Sequence, residues 1–162
     1  MKKSFTLIEL VVVIGLFAML GTMTTLMLAA ALRGAKKAAA VGLVKNEGAY
    51  AINVMTQMLK FSSGISVCGA NSVTFVPGAG GGSATMSCVT AGTDKYIASG
   101  SARLTSNQVT VNNCSITCDT GEPLTTKKIN VSFDLQRANA AFAAEKATAH
   151  FETQITLRNR EY

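Results

Sequence analysis

The sequence predicts an α+β fold, with a long N-terminal helix packed on a C-terminal antiparallel β-sheet. Three observations carry this prediction. An apolar stretch runs from Phe5 to Leu32 with one charged residue inside it, Glu9. An amphipathic pattern with three- and four-residue steps continues it to Phe61. Beyond Gly64 the apolar period changes to two, the period of a strand with one buried face.

The first stretch, residues 5–32, is long enough to cross the hydrocarbon core of a bilayer as a helix, which takes about 20 residues. Its Leu, Ile, Val and Phe residues contribute roughly −0.3 to −0.6 kcal/mol each, against about +3 kcal/mol for one acid. With about fourteen of them the sum favours insertion, and Glu9 sits near one end, where it reaches the interface. A secretory signal peptide is the competing reading, with Ala29-Ala30-Ala31 as a small-residue cleavage site. The apolar region is too long for that, and it contains an acid.

Met1-Lys2-Lys3-Ser4 followed by Phe5-Thr6-Leu7-Ile8-Glu9 resembles the N-terminal signal of type IV pilins and of type II secretion pseudopilins. The match covers about the first 25 residues. The resemblance implies cleavage between Ser4 and Phe5 by a prepilin peptidase, and N-methylation of Phe5. It gives Glu9 a role in filament assembly. Ser4 stands where the family has Gly. No Pro occurs before Pro77, which favours an unbroken helix and a minor pilin or pseudopilin rather than the main shaft subunit. The implied organisation is a leader at residues 1–4, a membrane and assembly helix at 5–32, its amphipathic continuation at 33–62, and an extracytoplasmic sheet domain at 63–162. The implied partners are other pilin or pseudopilin subunits, the prepilin peptidase, a membrane assembly platform and the lipid bilayer.

Elementary electrostatics agrees with a role for Glu9. Cleavage at Phe5 creates an ammonium at membrane depth, about one helical turn from the Glu9 carboxylate. Each charge alone is costly in hydrocarbon, and pairing offsets part of both penalties. A pair formed between neighbouring chains would also fix their stagger.

Residues 33–61 are rich in Ala, Lys, Leu and Met and contain no Pro, so the helix continues. Val41, Val44, Gly48, Ala51 with Ile52, Met55, and Met58 with Leu59 form its apolar stripe. The methionines are adaptable core filler. Gly42 and Gly48 weaken the helix, and Ser62-Ser63-Gly64 is the expected stop. Ile129, Val131, Phe133 and Leu135 then alternate with polar residues, as do Phe151, Thr153, Ile155 and Leu157. Weaker strands are expected at residues 65–68, 72–76, 84–89 and 108–111. Pro77-Gly78-Ala79-Gly80-Gly81-Gly82-Ser83 is a loop, and residues 139–149 form a loop or short helical turn. The helix stripe is the natural cover for the sheet.

Four cysteines, Cys68, Cys88, Cys114 and Cys118, all lie in the C-terminal part, which suits disulfides outside the cytoplasm. Charge does not settle the orientation, because Lys2 and Lys3 precede the span while Arg33, Lys36 and Lys37 follow it. The cysteines place the C-terminal domain outside. Four cysteines permit three pairings. The preferred one joins Cys114 to Cys118 through a turn, and Cys68 to Cys88 around the Gly-rich loop.

The net charge is +6, and removal of Lys2 and Lys3 leaves 13 basic against 9 acidic residues. The basic residues are scattered and read as solvated surface. No paired Cys-x-x-Cys occurs, and the one histidine, His150, is remote from the cysteines, so no metal or other cofactor is expected. His150 reads as a surface or edge residue rather than a base. The acids show no catalytic spacing, and neither a nucleophile elbow nor a His-Glu-x-x-His motif is present. The expectation is a structural subunit, not an enzyme. It resides in the cytoplasmic membrane as a single-pass protein and then joins a pilus or pseudopilus. The alternatives are a permanently anchored extracytoplasmic binding domain, and a DNA-binding pilin using Lys127, Lys128, Arg137 and Arg158.

Overall fold

In the computed structural model, which describes residues 6–78, 82–120, 126 and 128–158, the two N-terminal stretches form one unbroken helix, α1, at Leu7–Lys60. Its 54 residues span about 80 Å. Ser4 and Phe5, the expected processing site, lie outside the described residues, as do Lys127 and part of the Gly-rich loop.

The helix starts two residues later than expected because Thr6 caps it. Thr6 is extended (φ −80°, ψ 147°), and its hydroxyl accepts from the Glu9 backbone N–H at 3.4 Å. Thr6 and Glu9 stand at capping-box spacing, and Glu9 lies in the first turn, where the helix dipole favours an acid. At the other end the Phe61 N–H closes on the Gln57 carbonyl at 3.2 Å. The Ser62 hydroxyl donates to the Leu59 carbonyl at 2.7 Å. The first strand, β1 (Ser62–Cys68), follows without a linker, so the expected stop at residues 62–64 is already strand.

The fold is α+β, in an arrangement consistent with a pilin-like one, but two sheets form where one was expected. The first is an antiparallel meander of β1, β2 (Ser72–Pro77), β3 (Ala84–Ala91), β4 (Asp94–Ser99) and β5 (Ala102–Arg103). The second is an antiparallel meander of β6 (Val109–Cys118), β7 (Lys128–Arg137) and β8 (Thr148–Thr156). A single 3-10 turn at Ala143–Glu145 interrupts the β7–β8 connection.

Strands β4 and β5 are additions to the sequence reading. Ile97 and Ala98 are adjacent and both buried, so β4 shows no clean alternation. The hairpin signals were nonetheless present. Gly92 (φ 63°) opens the two-residue turn between Ala91 and Asp94, and Gly100 (φ 61°) opens the one between Ser99 and Ala102.

The core joins the upper half of α1 to both sheets. The helix contributes Ala40, Val44, Gly48, Ala51, Met55 and Leu59, the expected stripe turned slightly so that Val41 and Ile52 are half-buried and Met58 is exposed. The alternation expected in β7 holds fully, with Ile129, Val131, Phe133 and Leu135 all buried. In β8 the Phe151 ring stacks on Phe133, centroids 5.4 Å apart, and presses against Gly48. A Cβ at Gly48 would stand 2.1 Å from the Phe151 ring. Gly48 therefore marks a close approach of helix and strand. Gly42 has nothing within 4 Å of its virtual Cβ.

All four cysteines are in disulfides, but not in the preferred pairing. Cys68 joins Cys118 and Cys88 joins Cys114, with Cα separations of 6.4 Å and 6.1 Å. The reason is strand geometry. Cys114 and Cys118 both lie on β6, which stays extended instead of turning, and four strand residues span about 13 Å. Cys68 and Cys88 lie on β1 and β3, which β2 separates, so they are about 10 Å apart. Both spans exceed the reach of a disulfide, about 7 Å between Cα atoms. The observed bridges instead tie the five-stranded sheet to β6 of the other sheet.

This packing makes two glycine substitutions differ in sign. Gly48→Ala lowers unfolding stability by about 1–3 kcal/mol through overpacking against Phe151, whereas Gly42→Ala raises it by up to about 1 kcal/mol through helix propensity. Denaturant titration of the two variants should give opposite signs. Non-reducing peptide mapping should recover Cys68 with Cys118 and Cys88 with Cys114, and replacing either pair alone by Ser should cost about 3–4 kcal/mol on the chain-entropy model.

Candidate functional site

The lower half of α1 is the outstanding chemical feature. Sixteen large apolar side chains between Leu7 and Leu32 are exposed, and none of residues 6–39 is buried. Fully burying such a side chain is worth about 1.5–3 kcal/mol, so half of that over the set is roughly 20 kcal/mol. This exceeds the typical net stability of a domain, about 5–15 kcal/mol. The surface therefore needs a cover that the folded head does not supply. The helix is long and apolar enough to cross a membrane.

Its polar groups suit that setting. The hydroxyls of Thr22, Thr24 and Thr25 each donate to a carbonyl one turn back, at 2.8, 2.9 and 2.9 Å. They thus present little unsatisfied polarity outward. Glu9 is the lone acid of this half and is exposed in the first turn.

The head is fixed to the helix just above this half. Lys37 Nζ donates to the Lys146 carbonyl, and Lys36 Nζ stands 3.6 Å from Glu145 and 5.6 Å from the Phe142 ring centroid. Farther up, Glu47 accepts from the Ser106 backbone N–H at 3.0 Å. These contacts set where the exposed half begins.

A second cluster lies on the outer face of the three-stranded sheet. A bulge in β6 places two residues, Asn113 and Cys114, opposite Phe133 alone, and Asn113 takes a left-handed conformation (φ 48°). The bulge breaks the alternation of faces, so Asn113 joins its neighbour Asn112 on the outer side. Asn113 donates to Asp134 Oδ2 at 2.7 Å, and Asp134 Oδ1 lies 2.6 Å from His150 Nδ1. His150 Nε2 is 3.9 Å from Glu152. The donated bond from Asn113 first, and the His150 contact second, hold the Asp134 carboxyl below the usual carboxylate range against a small opposing effect of burial. His150 sits exposed on the edge strand β8, as the sequence suggested. Neither the bulge nor the Asp134 contact is visible in the sequence, although Asn112-Asn113 reads as turn-forming.

An open apolar cavity of about 530 Å³ lies between the end of α1 and β2–β4, lined by Met58, Phe61, Phe75, Pro77, Gly78, Ala84 and Ser99. The basic residues proposed for nucleic acid do not form one face, because Arg137 stands apart from Lys128 and Arg158. Lys128 and Arg137 stand at opposite ends of β7, about 30 Å apart. Arg158 follows β8 near the Lys128 end, and Lys127 lies outside the described residues. Among the described residues no group of three or more His, Cys, Asp or Glu could hold a metal ion.

The lowered Asp134 carboxyl fixes a pH dependence. Its ionised form favours the folded state, so the contribution is complete above about pH 4 and is lost as pH falls through the lowered value. Asp134→Asn should cost about 1 kcal/mol or less at neutral pH. The gap between the unfolding curves of wild type and variant should close on acidification, and a gap independent of pH would assign the loss to packing instead. Compared with known proteins, the chain matches no family model, no curated protein and no solved structure.

Proposed function

We propose that this chain is a structural subunit, a minor pilin or pseudopilin, of a type IV pilus-like filament or a type II secretion pseudopilus. The observation that carries the reading is the uncovered apolar half of α1, with Glu9 in its first turn, continuous with the half that packs on a disulfide-tied head. The resemblance of residues 1–9 to the prepilin signal supports it.

On this reading the helix is first solvated by lipid, with the head outside the cytoplasmic membrane, where disulfides persist. Prepilin peptidase cuts before Phe5. In the filament, the apolar halves of neighbouring chains bury the surface that lipid had covered. Glu9 draws the freed amine of an adjoining chain, and the pair fixes the axial stagger. The role is mechanical and needs no catalytic group or cofactor. A permanently anchored binding domain would use the same helix as a lipid anchor but has no use for a processed N-terminus. A DNA-binding role is disfavoured by the separation of Lys128 and Arg137.

Mass spectrometry of the mature N-terminus should find methylated Phe5, and a chain that still begins at Met1 would sink the proposal. Glu9→Ala should leave membrane insertion intact, because it removes an acid worth about 3 kcal/mol against insertion. It should reduce recovery of the subunit in sheared filaments by an order of magnitude or more, whereas normal recovery would remove the role given to Glu9.

A further inference from the structure

The β7–β8 connection hangs beside the helix at the level where the apolar half ends. Leu32 is the last residue of the apolar run, and Lys36 lies one turn beyond it, about 6 Å along the axis. The headgroup layer on each side of a bilayer is about 5–8 Å thick. With Leu32 at the hydrocarbon boundary, Lys36 lies inside that layer. The connection is tied to this level by Lys37, which donates to the Lys146 carbonyl, and by the Lys36–Glu145 ion pair.

Phe142 is the notable side chain of this connection. It is 65% exposed, with its ring 5.6 Å from Lys36 Nζ. A large aromatic left open to water in an Ala-rich loop has no role in the core of the head. Its flanking residues are Ala140, Ala141 and Ala143, with no acid among them. Lys36 stands over the ring, Lys37 is bonded to Lys146 of the same connection, and Arg33 lies one turn below Lys36 and Lys37 on the helix, all four exposed, while the acid of the connection, Glu145, is half-buried against Lys36. An exposed aromatic with one ammonium over its ring and further cations on the adjoining helix turn and connection, beside the emerging end of an apolar helix, has the chemistry of an interfacial anchor.

We propose that the β7–β8 connection is a second membrane contact, which lays Phe142 into the headgroup layer of the head-side leaflet and sets its basic collar against anionic lipid. It rests on the reading of residues 7–32 as a bilayer span. The helix alone leaves the head free to rotate about the helix axis relative to the membrane. A contact on one side of the helix fixes that rotation and tilts the head toward the loop. The contact must be broken when a subunit leaves the bilayer, so the loop opposes extraction together with the helix.

The chain contains no Trp, so single-indole reporters are clean. Phe142→Trp, Phe17→Trp and Phe61→Trp are reconstituted as full chains in vesicles of phosphatidylcholine and phosphatidylglycerol. The acyl chains carry bromine either near the carbonyl or near the chain end. Peptide mapping of both disulfides verifies the fold of each variant. The indole of Phe142→Trp should emit to the blue of the indole of Phe61→Trp. It should be quenched several-fold more strongly by bromine near the carbonyl than by bromine near the chain end, and more in vesicles with phosphatidylglycerol than in pure phosphatidylcholine. The Phe17→Trp reporter should be quenched by the deep label, and the Phe61→Trp reporter by neither. A quenched Phe17→Trp reporter beside an unquenched, water-like Phe142→Trp reporter overturns the proposed contact while leaving the span intact. An unquenched Phe17→Trp reporter overturns the span and the contact together.

Discussion

A 54-residue helix carries an apolar surface along nearly all its length, while the sheets cover only its upper part. That mismatch in extent governs everything else in the molecule. In the upper part, Ala40, Val44, Gly48, Ala51, Met55 and Leu59 give a narrow stripe of mostly small or adaptable side chains against the sheets. In the lower part the apolar residues surround the helix, and a helix apolar on every side has no preferred face to bury against a single domain. A surface of this extent is long and apolar enough for a bilayer to cover it from all directions. The uncovered apolar run ends at Leu32, and the charged residues Arg33, Lys36 and Lys37 follow it directly.

The head answers a different constraint. Small sheets joined to a single helix bury little surface per residue, and the two sheets here share no strand. Cross-links between β1 and β6 and between β3 and β6 supply what a larger core would otherwise provide. The bulge at Asn113 serves both sides of its strand. It lies one residue before Cys114, which reaches inward to Cys88, and it sends the Asn113 amide outward to Asp134. Core bridge and surface carboxylate are therefore linked through one irregular backbone position.

The close approach at Gly48 shows how the helix is seated. Without a side chain there, the ring of Phe151 presses on the helix, and the Phe133 ring stacks behind it. The seat is fixed lower down by the contacts of Lys36 and Lys37 with the β7–β8 connection, and higher up by Glu47 on the Ser106 amide. The head therefore contacts the helix at three levels along its length.

By itself the sequence determined the elements whose periodicity is strong and local. The helix from the first apolar residues to Phe61, and the alternation in β7 and β8, follow from side-chain spacing alone, because one buried face imposes a period of 3.6 or 2. The solitary acid and the uncovered apolar run were equally plain, since they depend on composition rather than contact. The tertiary structure decided what depends on which strands are neighbours. Cys68 and Cys88 are close in the chain, yet β2 stands between them, so strand order rather than sequence distance chose Cys118 and Cys114 as their partners. Ile97 and Ala98 lack alternation because both are buried, and Gly48, a weakness in the helix by propensity, proved to be the space for a ring arriving from residue 151. Long-range packing carries no local signature, and so these features became legible only once the chain was folded.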